Sequence, residues 1–319
     1  MAKTEAEKNE ILYAKTHKRM YRLSNSDIVF TIINYAFFTI FTISCIFPFY
    51  YLFINTISDN SLVTKGAVKF IPQGIHFQNY ASLLQQSDII QAFGVSVVRT
   101  ILGTILMVLA SALIGYLVTQ ERMWQRKFWY RFMVITMYFN AGTIPWFMNM
   151  KLLGLEGNFL AYIIPGIVAP YNIILVKTYI ESIPAELEES AFIDGAGYFK
   201  VFLKIIWPLC TPILATIAIF GAVGHWNSFT DSLMLMRSAD SQGLRTLQHL
   251  LYDYLQKANN LAAQMRQSGG AAATSAATQL DSTVVQYTVC MASIIPILLV
   301  YPFMTRYFTS GIMLGAVKG

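Results

Sequence analysis

Residues 28–58 read IVFTIINYAFFTIFTISCIFPFYYLFINTIS, 31 positions without a charged side chain. A helix needs only about 20 apolar residues to cross a bilayer. Five more uncharged windows follow, at 100–120, 132–150, 157–176, 205–230 and 282–305, and the shortest has 19 residues. Backbone groups inside lipid must be satisfied within their own segment, so such windows form helices. The pattern predicts an all-α polytopic membrane protein with six transmembrane helices. The spans are expected at about 28–56, 96–120, 130–150, 157–177, 207–228 and 283–305. A cytoplasmic segment, 1–27, would precede them, and a cytoplasmic tail, 309–319, would follow.

Composition agrees with that class. Of 319 residues, 55% are hydrophobic and 13% charged, whereas soluble domains carry about a quarter charged residues. Disorder, a secreted disulfide scaffold and a nucleic-acid module are excluded. The net charge of +6 follows from an asymmetry between loops. Six spans put the N-terminus, the second and fourth loops and the C-terminus on one side, with 15 Lys and Arg; the other side has 7. The positive-inside rule then places both termini in the cytoplasm. The first 27 residues are too long and too charged for a cleaved signal peptide, so the first span is expected to stay as an anchor. Cys45, Cys210 and Cys290 fall inside spans without metal-ligand spacing and read as packing residues.

The loops differ in kind. The first outer loop, about 59–90, contains Pro72, Gly74 and Phe77-Gln78-Asn79-Tyr80, and is expected along the membrane surface. In the long loop 229–281, residues 244–266 carry apolar positions at helical spacing and predict one amphipathic helix. The stretch Gln267-Ser268-Gly269-Gly270-Ala271-Ala272-Ala273 then reads as flexible or weakly helical. No phosphate-binding loop, zinc-binding His pair or nucleophile elbow occurs, so the sequence supports no catalytic role.

The functional signal lies between the fourth and fifth spans, at 182–208. Ile183-Pro184-Ala185-Glu186-Leu187-Glu188-Glu189-Ser190-Ala191-Phe192-Ile193-Asp194-Gly195-Ala196 begins with a proline suited to a first helical turn. Three glutamates near the positive end of the helix dipole follow. Gly195 then permits the chain to turn. A short acidic helix held away from the membrane suits a groove on another protein.

This segment resembles the EAA loop of ABC-transporter permeases: Glu-Ala-Ala, three residues, Gly, nine residues, then Ile-x-Leu-Pro. Glu189-Ser190-Ala191, Gly195, Ile205 and Pro208 fall at those places, with Ser190 and Trp207 as the departures. The loop is similar to that of maltose-type carbohydrate importers. Asn140-Ala141-Gly142-Thr143-Ile144-Pro145, Gly224-His225-Trp226-Asn227 and the ending Gly311 to Gly319 resemble the complex polysaccharide and oligosaccharide branch of Gram-positive bacteria.

The resemblance implies a type I importer permease in a bacterial cell membrane. It implies a second homologous permease, two ATPase subunits and an extracellular sugar-binding lipoprotein as partners. ATP and Mg would be bound by the ATPases, with no cofactor in this chain. It also implies ATPase coupling by Glu186, Glu189, Ala191, Asp194, Gly195 and Ala196, and by the tail residues Gly315, Lys318 and Gly319. For an oligosaccharide path, polar and aromatic residues within spans are the candidates: Asn140, Trp146, Tyr171, Asn172, His225, Trp226 and Asn227. Arg99 reads as an interfacial or helix-packing charge at the edge of the second span. The alternatives are an ABC permease for a non-sugar solute and a self-sufficient secondary carrier.

Overall fold

The computed structural model describes residues 25–267 and 283–302, and for 258, 259 and 261–267 the backbone alone. Among the described residues there are helices and no strands. The chain divides into two compact units, with the boundary between Tyr51 and Leu52.

The first helix, α1, spans Asn25–Thr56 and includes Pro48. Phe30, Tyr35, Phe37 and Phe41 along it are exposed, and the Phe37 and Phe41 rings stack at 6.4 Å. An apolar surface of this extent belongs in lipid or against another chain.

Within the second unit, Asp59 accepts hydrogen bonds from the backbone N–H of Ser61 and Leu62 and caps the short helix α2, Asn60–Thr64. The Ser61 hydroxyl, which also donates to Asp59, and then those backbone bonds hold the Asp59 carboxyl below its ordinary pKa. Helix α3, Gln78–Gln85, follows, and extended Gln86 separates it from α4, Ser87–Thr119.

Helix α4 organises the unit. Its 33 residues make it about 50 Å long. Its buried residues recur every three or four positions: Ile89, Ala92, Ser96, Arg99, Gly103, Met107, Ser111, Gly115 and Val118. The small ones let neighbouring backbones approach closely. A Cβ built on Gly103 would lie 2.5 Å from the His225 ring, and one on Gly115 would lie 2.9 Å from Val176. Gly221 provides a similar slot, for Met107 at 2.5 Å. Across these slots α4 packs against α7, Pro170–Ile180, and α11, Thr211–Asn227.

The spans depart from the sequence expectation in four places. The second begins at Ser87, nine residues before the expected start at 96, so Arg99 sits well inside the helix rather than at its edge. Its charge is tolerated there because Asp231 pairs with it. The third window is split into α5, Arg126–Tyr138, and α6, Thr143–Leu152. Gly142, at φ +85°, and an Asn140 side chain that accepts from the Gly142 N–H shape the break. The fourth opens with 3-10 turns at Phe159–Tyr162 and Ile164–Gly166 and bends by 42° into α7. Pro165 and Pro170 cannot donate the backbone bonds that a continuous helix needs.

The fifth bends by 79°, between Tyr198–Leu209, which includes α9, Tyr198–Val201, and α10, Trp207–Leu209, and Thr211–Asn227. A π-helical turn at Phe202–Ile206 precedes the bend, and Pro208 and Pro212 flank it. Among the described residues, three unbroken helices, Asn25–Thr56, Ser87–Thr119 and Thr283–Pro302, are long and apolar enough to cross a membrane, or up to five if each bent pair is one span.

The long loop also differs in detail. Helix α12, Thr230–Leu235, and a 3-10 turn, Ala239–Leu244, precede α13, Leu247–Gln267. The amphipathic helix therefore starts three residues later than its apolar spacing suggested. The low-complexity stretch from Ser268 lies outside the described residues.

The packing of α4 against α11 is expected to tolerate no side chain at Gly103. Gly103→Ala should lower stability by about 1–3 kcal/mol, the usual cost of overpacking. Gly224→Ala, which meets nothing within 4 Å, should not lower it. Thermal unfolding of the two variants in detergent compares them directly, and equal midpoints would refute the close-packing account.

Candidate functional site

Where α4, the 3-10 turns, α7 and α11 converge they line an open cavity of about 400 Å³. This lies within the range of small-molecule sites, about 300–1,000 Å³. Arg99, Trp146, Tyr162, Asn172, His225 and Asp231 supply its polar and aromatic lining.

Arg99 is 2% exposed. Its guanidinium forms a two-pronged ion pair with Asp231 through Nη1 and Nη2. Nη1 also donates to the Ser228 carbonyl at 3.0 Å, and the cation lies 4.5 Å from the Tyr162 ring centroid. Asp231 Oδ1 further accepts from the Ser232 N–H at 2.9 Å and the Ser228 hydroxyl at 3.3 Å. The Tyr162 hydroxyl donates to the Leu244 carbonyl at 2.7 Å. A buried charge is tolerated when it is paired and hydrogen-bonded, and this one has both.

A second polar cluster holds Asp231 from behind. Ser232 Oγ meets His249 Nδ1 at 2.8 Å and accepts from the Thr246 N–H at 3.3 Å. Ser96, on the buried face of α4, accepts from the Leu247 N–H at 2.9 Å. Burial pushes the His249 pKa down, against the upward pull of Asp253, which lies 3.7 Å from Nε2; Arg245 lowers it further.

The cavity brings together three of the seven substrate-path candidates: Trp146, Asn172 and His225. The His225 ring fills the gap between Gly103 and Gly166. The other four are placed elsewhere. Asn140 is exposed in the break between α5 and α6, where its side chain caps Gly142. Tyr171 and Asn227 are exposed and do not line the cavity. Trp226 is buried, donates Nε1–H to the Ser293 carbonyl at 3.0 Å and packs edge-on against Phe93; it is a packing residue.

Sequence reasoning missed Asp231 and Tyr162 and misplaced Arg99. The signal available was charge: Arg99 and Asp231 each border one of the uncharged windows.

The acidic segment forms α8, Glu186–Ile193. It ends where Gly195, at φ +79°, reverses the chain. The Gly195 N–H bonds Phe192 O and the Ala196 N–H bonds Ala191 O, at 3.0 and 2.9 Å. This is the Schellman closure that glycine makes possible. Glu186, Glu189, Asp194 and Gly195 are exposed, while Ala191 and Ala196 are half-buried against a core of Tyr116, Val176, Phe202 and Ile206. Gln120 at the end of α4 donates to Glu188 at 3.1 Å. Ile193, one turn from Glu189, is 85% exposed, so the outward face is acidic with an apolar tip. Gly315, Lys318 and Gly319 lie outside the described residues.

Residues 108–314 match the family described as the binding-protein-dependent transport system inner membrane component. The chain is 30% identical over 291 residues to a polygalacturonan/rhamnogalacturonan transport system permease protein of Bacillus subtilis (strain 168), covering 91% of this chain and 99% of that one. It is 28% identical to an arabinooligosaccharides transport system permease protein of Halalkalibacterium halodurans, covering 86% and 91%. Among solved structures, it is similar to a chain of a bacterial ABC transporter involved in the import of the acidic polysaccharide alginate. That match has a TM-score of 0.77 and 30% identity and covers 89% and 98%.

The cluster behind Asp231 is expected to weaken on acidification. A folded-state histidine with a lowered pKa resists the proton that the unfolded chain accepts at its ordinary value of about 6.5. Its contribution is therefore complete above that value and is lost as pH falls below it. Protection factors for backbone hydrogen exchange at Thr246–Leu250, referred to the intrinsic rate at each pH, should fall between pH 7.5 and 5. His249→Asn should flatten that response, and an identical pH response in the variant would count against it.

Proposed function

This chain belongs to the family of binding-protein-dependent transport system inner membrane components, and we propose that it forms one wall of an oligosaccharide path in an ABC importer. It would be coupled to a partner ATPase through α8. The carrying observation is that one helix serves both sites. The Arg99–Met107 part of α4 lines the cavity, and its Ala112–Gln120 part bears the core and the side chain that hold α8. The naming of relatives for oligosaccharide and polysaccharide transport supports sugar as the solute.

In this reading a second permease completes the path, and two ATPases bind and hydrolyse ATP with Mg. An extracellular binding protein delivers the sugar. Glu186, Glu189, Asp194 and the Ile193 tip meet an ATPase groove, while Ala191 and Ala196 fix the helix to the core. The tail residues Gly315, Lys318 and Gly319 have a second coupling role beside the ATPases. ATP binding and hydrolysis shift the complex between inward- and outward-open arrangements. Both termini are cytoplasmic, in keeping with the 15-to-7 distribution of basic residues.

Two experiments test this. Gly195→Leu puts a β-carbon on a positive-φ backbone and a bulky side chain on the docking face. It is expected to cut transport at least roughly tenfold, equivalent to about 1.4 kcal/mol, while the complex still assembles. Glu189→Lys should also weaken ATPase attachment. Normal transport by both variants would remove α8 from coupling.

For topology, single cysteines at Lys65 and Lys200, both exposed, are introduced into a chain lacking its three natural cysteines. An impermeant reagent applied to intact cells should label the first and spare the second. The reverse pattern would invert the orientation.

A further inference from the structure

The polar groups of the cavity are in two opposite states. Its charged groups face each other: Arg99 Nη1 and Nη2 donate to Asp231, Nη1 donates to Ser228 as well, and Asp231 also accepts from Ser228 and Ser232, while Arg99 Nε is buried without a partner among the described residues. Of its neutral groups, Tyr162 and Ser228 donate to Leu244 and Asp231, but three others keep hydrogen-bonding capacity open. Among the described residues the His225 imidazole and the Trp146 indole N–H make no hydrogen bond. Asn172 has only the Met107 sulfur, 3.1 Å from its amide nitrogen, and sulfur is a weak acceptor. Trp146 and Phe220 add aromatic surface beside them.

We propose that the solute held in this cavity is an uncharged oligosaccharide, and that Asp231 sets this preference by neutralising Arg99. The inference rests on the sugar-importer reading above and concerns the same site. A carboxylate that leaves water must find a free cation or pay heavily for desolvation, and here the guanidinium fork is already taken. Asp231 would also repel a second carboxylate nearby. Sugar hydroxyls, in contrast, exchange water for His225, Asn172 and the Trp146 N–H, while ring carbons lie on Trp146 and Phe220. Without the Asp231 charge, Arg99 becomes an open fork of the kind that binds carboxylates bidentately. The relatives include proteins named for acidic polymers, so charge is the property worth testing.

The test uses the full complex in proteoliposomes, with partner permease, ATPases and binding protein. The solutes are α-1,4-linked galactobiose and digalacturonate, which differ only in their carboxylates. Each is supplied with binding protein at saturation, so that maximal uptake rates are compared rather than capture. Wild type should favour galactobiose. Asp231→Asn should raise the digalacturonate-to-galactobiose ratio roughly tenfold, the scale of one charge-assisted hydrogen bond. The double variant Arg99→Gln/Asp231→Asn, which leaves no lone buried charge, should keep the wild-type preference.

Preference for digalacturonate in the wild type, or an unchanged ratio in Asp231→Asn, overturns the proposal. If Asp231→Asn does not assemble, the double variant decides: retained preference for galactobiose supports the proposal, and a shift toward digalacturonate overturns it. Uptake of neither sugar by an assembled complex whose ATPase responds to a non-sugar solute sinks the sugar reading itself, and this inference with it.

Discussion

A guanidinium on the buried stripe of an apolar helix must find its counterion inside the protein. Arg99 is that group. Meeting its demands brings together the end of α11 through the Ser228 carbonyl, the start of α12 through Asp231, and the 3-10 turn that carries Tyr162. Tyr162 in turn reaches Leu244, and Ser96, one turn before Arg99, anchors the start of α13. The long loop is thus organised around one charge in α4. Removing one partner of such a pair typically costs 3–5 kcal/mol, because the other is left buried and alone.

Along α4 the buried face changes character. Near Arg99, Gly103 and Met107 it borders a cavity; near Ala112, Gly115 and Tyr116 it packs into a continuous apolar core. The same core receives Ala191 and Ala196 beside the acidic helix, and the π-helical turn at Phe202–Ile206. Close-packed interiors have low compressibility and transmit strain. A displacement at Glu186 and Glu189 therefore has a physical route along α4 toward the cavity. The 79° bend at Cys210 turns the Tyr198–Leu209 segment, which follows α8, out of line with α11.

The acidic helix was the most legible feature. Its signals are local: a proline before the first turn, glutamates in that turn, and a glycine where the backbone must adopt positive φ. Gly195 does so at +79°. The exposed Ile193 tip was implicit in the same helical spacing. The cavity was legible only in part. Trp146, Asn172 and His225 were identifiable as polar or aromatic residues within apolar windows, but Asn140, Tyr171 and Asn227 looked the same by that criterion and point elsewhere. Trp226 was indistinguishable from a ligand until its indole N–H was seen bonded to Ser293.

By itself the sequence determined the class: uncharged windows long enough for lipid, helices because lipid satisfies no backbone group, and a short acidic helix closed by a glycine turn. These follow from short-range chemistry, which composition and spacing record. Tertiary structure alone decided where the spans break, which polar residues converge, and that Arg99 and Asp231, 132 positions apart in the chain, neutralise one another. The physical reason is that a buried charge's partner is chosen by three-dimensional proximity. Neither residue's neighbours in the sequence encode the other.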